Sequence, residues 1–236
     1  MLLGMGIYGY LYFSYIRIYD TIGNTHLTPP YKYNSFTIGN SKGEGKAKYV
    51  AMGDSLSAGV GATTVDKTIV YLFAEHLSKK YWQVNTVNYA WPGDESKDVL
   101  KNQLPQALAQ NPDYVTVFIG INDIHNKREF SDYRLNMLSI LDSLLVSTHA
   151  QIYVVNLPYL GANKLVVFPY SNILDIRTKQ FNSILESVCQ NDRIHLIDLY
   201  SGSRDKLNSE KDNYAVDLFH PSDKGYLLWS KIINGD

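Results

Sequence analysis

Cysteine is almost absent, with Cys189 the only one in 236 residues. A lone thiol excludes an internal disulfide framework and any zinc site built from cysteines. It follows Ile184, Leu185 and Val188 at helical spacing in FNSILESVCQ, the position of a packed small hydrophobe rather than a reactive thiol. A charge excess is missing too. The 22 basic and 23 acidic residues leave a formal net charge of −1, which offers no basic surface to nucleic acid or to an anionic membrane face. Internal repeats and low-complexity blocks are absent. What is present is ordinary globular composition, 45% hydrophobic and 19% charged, enough to bury one substantial core in a single domain.

The N-terminus departs from that average. MLLGMGIYGYLYFSYI, residues 1–16, carries no charge. As a helix it spans about 24 Å, slightly short of a hydrocarbon core of about 30 Å. No basic stretch precedes it and no A-x-A-like site follows, and Arg17 lies on its C-terminal side, which favours a cytoplasmic domain. Residues 1–19 are expected to be a signal or membrane anchor, leaving the domain membrane-anchored or extracytoplasmic with its sidedness open. The bland alternative is an apolar helix docked on the domain. Residues 20–47, polar and holding Pro29-Pro30 and GNSKGEGKAK, read as a linker or loosely packed lead-in.

From residue 48 to 236 a single domain is expected, and a regular alternation begins. Short apolar runs, AKYVAM, VNTVNYA, YVTVFIG, QIYVVNL and IHLIDL, are separated by amphipathic segments. Asp66 is a candidate cap for the first helix and Ser222 for the last, and Pro105 is expected to bend the segment it sits in. Strands alternating with helices imply α/β architecture, a parallel sheet covered on both faces. Five parallel strands are expected, in a three-layer α/β/α sandwich of flavodoxin-like type. In such sheets ligands bind beyond the carboxyl ends of the strands.

Three groups of residues stand at strand ends: Gly53-Asp54-Ser55, Gly93, and Gly120-Ile121-Asn122-Asp123. A serine hydroxyl is a poor nucleophile without a base, and the base needs an orienting partner. Of the histidines, His26 lies in the lead-in and His76 inside a helix. His149 stands at the wrong end of the sheet, His195 reads as a partly buried strand residue, and His125, which follows the third strand, could approach a pocket but reads more readily as a surface-loop residue. His220 differs, standing three residues after Asp217 in AVDLFHPSDKGY. The spacing fits a local turn pair, and equally an acid holding one imidazole nitrogen while the other faces outward. Donors for a developing oxyanion are available in the amides of Ser55 and Gly93 and the side chain of Asn122. Gly93 also fits a plain turn, and Asn122 an Asx turn or cap.

These blocks, in this order, resemble the SGNH (GDSL) hydrolases. GDSLSAGVG is similar to the family's first block, with Ser55 matching the nucleophile. NYAWPGDES resembles the second, with Gly93 matching the oxyanion glycine, although Trp91 and Pro92 make it the loosest fit. GIND fits the third, so Asn122 matches the oxyanion amide, and DLFHP fits the last, with Asp217 and His220 matching the triad acid and base. The likeness covers residues 48 to 233. No G-x-S-x-G elbow is present, which argues against the α/β-hydrolase fold.

The resemblance implies a serine esterase, GDSL-type lipase or acylhydrolase, acting on short to medium acyl esters of a lipid or carbohydrate alcohol, without metal or cofactor. Acyl transfer to a sugar or peptidoglycan hydroxyl by the same site is the nearer alternative, and a non-catalytic binding module on the same fold the more distant one. Residues 156–174 are expected to overhang the pocket, where Leu165-Val166-Val167-Phe168 either bind an acyl chain or pack on the core.

Overall fold

A computed structural model describes residues 2–30, 34–160, 165–208 and 210–235. Its sheet has six strands in the order β1-β3-β2-β4-β5-β6: β1 Ser35–Gly39, β2 Lys46–Gly53, β3 Gln83–Asn88, β4 Tyr114–Phe118, β5 Gln151–Val155 and β6 Ile194–Ile197. The expected count of five is corrected by β1, which comes from the lead-in. It pairs antiparallel with β3, while the other five strands are parallel. Without β1, the second strand lies at one edge beside the first, then the third, fourth and fifth follow, which is the flavodoxin-like order.

The helices are α1 Leu2–Thr25, α2 Ser55–Ala58, α3 Ile69–Ser78, α4 Ser96–Asp98, α5 Leu104–Ala109, α6 Ile121–His125, α7 Phe130–Ser147, α8 Tyr170–Val188, α9 Leu199–Asn208 and α10 Asp223–Asn234. One layer joins α10 to α3 and α9, and another joins α7 to α4, α5 and α8. The central strands are dry: Tyr49 to Met52 and Val115 to Phe118 are buried in the same core as Phe73, Met137, Phe181 and Trp229, apart from the polar Thr116. That hydroxyl is satisfied by the Tyr49 hydroxyl at 2.7 Å, as a buried polar atom requires.

Local chemistry explains several boundaries. Thr68, not Asp66, caps α3: its hydroxyl accepts from the Tyr71 N–H at 3.3 Å, while Asp66 lies in the preceding 3-10 turn. Ser222 caps α10 as expected, accepting from the Gly225 N–H at 3.3 Å. Pro105 lacks an N–H, and the chain accommodates it with a π-turn over Val99–Gln103, closed by the Leu104 N–H on the Val99 carbonyl, before the helix resumes.

The N-terminal apolar run is longer as a helix than the expected 16 residues, and it is docked. The Tyr10 hydroxyl donates to the Phe168 carbonyl at 3.0 Å, and the Tyr170 hydroxyl to the Leu11 carbonyl at 3.1 Å. Among the described residues no helix is long and apolar enough to cross a membrane. In the expected overhang, Leu165 and Val166 are buried and Phe168 is exposed; residues 161–164 lie outside the described residues. Cys189 is half-buried against the core, and burial pushes its thiol up to about 12, in keeping with packing rather than reactivity.

Candidate active site

The strand order brings the carboxyl ends of β2, β3 and β4 side by side, so the loops behind them share one edge. Ser55 opens α2 straight after β2. Asp54 caps that turn by accepting the Leu56 N–H at 3.0 Å. At the end of β3, the Asn88 side chain donates to the Ser57 carbonyl at 2.8 Å and accepts the Ala90 N–H at 3.0 Å, fastening the β3 loop to the serine turn. Gly93 lies in this loop with φ +90, a conformation that costs a side-chain-bearing residue about 1–3 kcal/mol.

The last segment of the chain docks on the first block. Asp223 accepts from the Thr63 N–H at 2.8 Å and its hydroxyl at 2.6 Å, and the buried Tyr226 hydroxyl donates to the Val60 carbonyl at 2.8 Å. Between these ties the His220 Nε2 stands 2.9 Å from the Ser55 Oγ. The His220 Nδ1 is 2.5 Å from Asp217 Oδ2, and the other Asp217 oxygen accepts the Phe219 and His220 amides at 2.9 and 3.0 Å. Burial would raise the Asp217 carboxyl, but the bonds from His220 and the two amides outweigh it and hold the group below its ordinary range. It therefore stays ionised beside the imidazole. Thus the local turn and the long-range pairing both exist, and the structure joins Ser55, His220 and Asp217 in one hydrogen-bonded line.

Asn122 sits in the first turn of α6 and does not cap it. Its Nδ2 donates instead to the Asp94 carbonyl at 2.9 Å, across to the loop of Gly93. An amide nitrogen carries two N–H groups; this bond uses one and sets the plane of the other. The neighbouring Asp123 repeats the link, accepting the Ser96 N–H at 2.9 Å and its hydroxyl at 2.5 Å. Glu95, buried between Arg128 (2.8 Å), Lys97 (2.8 Å) and Asn126 (2.5 Å), adds a third tie. Burial opposes ionisation of Glu95, yet these partners hold its carboxyl down at about 2.

Two further side chains reach the site, neither of them given a role by the sequence. His125, read as a surface-loop residue, ends α6 with its ring 5.4 Å from that of Phe219. Burial, and next the nearby His220, lower its pKa to about 4, so it is neutral at pH 7. Phe219 in turn stacks edge-on against His220. His195 is exposed on β6, its Nε2 2.8 Å from Gln151 Oε1, rather than partly buried as expected. Among the described residues no cluster of histidine, cysteine or carboxylates could hold a metal ion.

A cavity of about 20 Å³ is walled by Leu56, Ile121, Phe219, Trp229, Pro158 and Tyr159 among others. Leu56, Ile121 and Phe219 are the chain neighbours of Ser55, Asn122 and His220.

Comparison with known proteins agrees with the fold. A catalytic mutant of an acetylxylan esterase from Geobacillus stearothermophilus is similar at TM-score 0.65 and 17% identity, over 83% of this chain and 93% of that one. The lipase/acylhydrolase from Enterococcus faecalis is similar at TM-score 0.63 and 23% identity, over 80% and 94%. No curated protein sequence matches the chain. Residues 51–228 match the GDSL-like Lipase/Acylhydrolase family. Because that match spans most of the chain and all four blocks, the chain belongs to this family and is a carboxylic ester hydrolase.

Proposed function

We propose that the chain is a serine esterase that removes short acyl groups, acetyl above all, from a carbohydrate alcohol through an acyl-enzyme. The line from Asp217 through His220 to Ser55 is the observation that carries this. In this mechanism Ser55 Oγ attacks the ester carbonyl as His220 Nε2 takes its proton. Asp217 holds the Nδ1–H and stabilises the imidazolium that forms. The amides of Ser55 and Gly93 and the second N–H of Asn122 receive the oxyanion. When the intermediate collapses, His220 returns the proton to the leaving alcohol, and it then activates the water that releases the acid.

The small cavity supports short acyl groups. At about 20 Å³, against about 10–15 Å³ for a single water, the space between these neighbours of Ser55, Asn122 and His220 favours a small acyl group over a long chain. On the alcohol side, Trp91 is 68% exposed two residues before Gly93, and a rigid aromatic face at a rim suits a sugar ring. The acetylxylan esterase among the similar structures points to the same class of ester. Location is part of the proposal: α1, docked on the domain with Tyr12 and Phe13 exposed, rests the domain on a membrane surface rather than crossing it.

A fluorophosphonate probe tests the chemistry. It should label wild type at Ser55 and leave Ser55→Ala and His220→Ala unlabelled. Asp217→Asn should fold but lose about 10⁴-fold in kcat through the wrong tautomer. Labelling of His220→Ala at the wild-type rate would remove His220 as the base.

A further inference from the structure

Gln103 is an amide buried at the end of the π-turn, 2% exposed, and nothing in the proposed chemistry uses it. Its Oε1 accepts the Gly53 N–H at 2.9 Å, and its Nε2 donates to the Gly53 carbonyl at 2.8 Å. Because Gly53 presents one donor and one acceptor, the amide can sit only one way round. The remaining Nε2 hydrogen goes to Asp94 Oδ2 at 2.8 Å.

Each contact lands beside a proposed catalytic group. Gly53 ends β2 two residues before Ser55, and the chain there is crowded: a Cβ on Gly53 would lie 2.3 Å from the Phe118 carbonyl oxygen and 2.5 Å from the Ser57 hydroxyl. Asp94 follows Gly93 directly, and its carbonyl is the acceptor that orients Asn122. One side chain therefore touches the nucleophile's strand end and the glycine loop, and reaches the oxyanion amide through a single further bond.

We propose that Gln103 is a positioning residue that sets the distance between the Ser55 nucleophile and its oxyanion donors. It makes no contact with the substrate. It acts by fixing two backbone segments that belong to different strands, and the π-turn is what delivers it there. Had the helix continued in α geometry through Gln103, the side chain would be rotated along the helix surface away from Gly53. Extra residues held in π-turns recur at functional sites.

The proposal rests on the esterase mechanism above, so wild type is first assayed with p-nitrophenyl acetate and the fluorophosphonate. Wild type that neither turns over nor labels defeats that mechanism, whatever Gln103 does. With wild type active, Gln103→Met keeps the volume and removes all three hydrogen bonds. It should lose about 10²-fold in kcat, the scale of an ångström of misplacement. Labelling should slow in parallel, while KM changes little. Gln103→Glu should recover relative to wild type as pH falls, because the protonated carboxyl regains a donor. Asp94→Ala, at a half-buried position, cuts only the link to the glycine loop and should lower kcat in the same direction. Combined with Gln103→Met it should add little, since both break one path. A folded Gln103→Met with wild-type kcat overturns the proposal. If that variant does not fold, Asp94→Ala decides, and wild-type kcat there overturns it equally.

Discussion

The Asn122 side-chain amide donates to the Asp94 carbonyl at 2.9 Å, so a residue after the third parallel strand holds the loop after the second. A donor already bonded on one hydrogen is fixed in plane before any substrate arrives, and a fixed donor stabilises charge without reorganising.

Asn122→Ala should therefore lose about 10²–10³-fold in kcat, the range for one oxyanion donor. A lower melting temperature should accompany this, because the tie to Asp94 goes too. Asn122→Asp should be at least as damaging to kcat, placing a carboxylate against the developing negative charge. Kinetics and melting measured on the same preparation separate the two effects. An early-melting variant with normal turnover would retire the oxyanion role.

Chain-length profiling tests the small cavity. Acetyl esters should be cleaved fastest, octanoyl more slowly and palmitoyl slowest. Phe219→Ala, which removes one wall, should flatten that order by raising longer-chain rates more than the acetyl rate. A wild-type preference for palmitoyl esters would reverse the substrate assignment.

Trp91 gives a test of the alcohol side. Trp91→Ala should raise KM for an acetylated oligosaccharide while leaving p-nitrophenyl acetate unaffected, since the aryl ester has no sugar to stack. Equal effects on both substrates would count against a carbohydrate platform.

Asp54 predicts a pH-dependent stability. Burial, opposed by the Leu56 N–H and reinforced by Asp123 and Asp94, raises its carboxyl to about 7. The folded chain thus holds this proton more tightly than the unfolded one. The stability it lends is complete below the ordinary value of 3.8 and is lost as pH climbs towards about 7. Asp54→Asn keeps an oxygen for the Leu56 N–H and never ionises. Its melting temperature relative to wild type should be higher at about pH 8 than at about pH 4. An offset identical at both values would show that ionisation of Asp54 costs the fold nothing.

Removal of residues 1–25 tests the location. Full-length protein should sediment with membranes, and the shortened chain, which retains β1, should stay soluble with its kcat intact. Full-length protein found wholly soluble would end the membrane proposal.

How much of this was legible in the sequence follows from how local each feature is. Ser55 follows an apolar strand closely, and Asp217 lies within one turn of His220, so both were visible as candidates, and the resemblance of the four blocks supplied their roles. β1 was not legible: SFTIG lies among polar and glycine residues, and it becomes a strand through its partner β3, as context-dependent β-propensity allows. α9 was missed for a related reason, because YSGSRDK carries small and charged residues with little apolar stripe. Gln103 was hidden most completely. An amide inside an amphipathic segment reads as solvated, and only the π-turn and the approach of Gly53 reveal it as buried.

The contact between Ser55 and His220 spans 165 residues of chain, and Thr63 and Val60 are tied to the same late segment through Asp223 and Tyr226. During synthesis the serine therefore emerges long before its base. On the proposed mechanism a nascent chain carries an inert hydroxyl, and hydrolytic power should switch on only when the segment that holds His220 closes over the first block. Recovery of esterase activity after denaturation should then report the arrival of that late segment, making the proposed enzyme its own clock for folding.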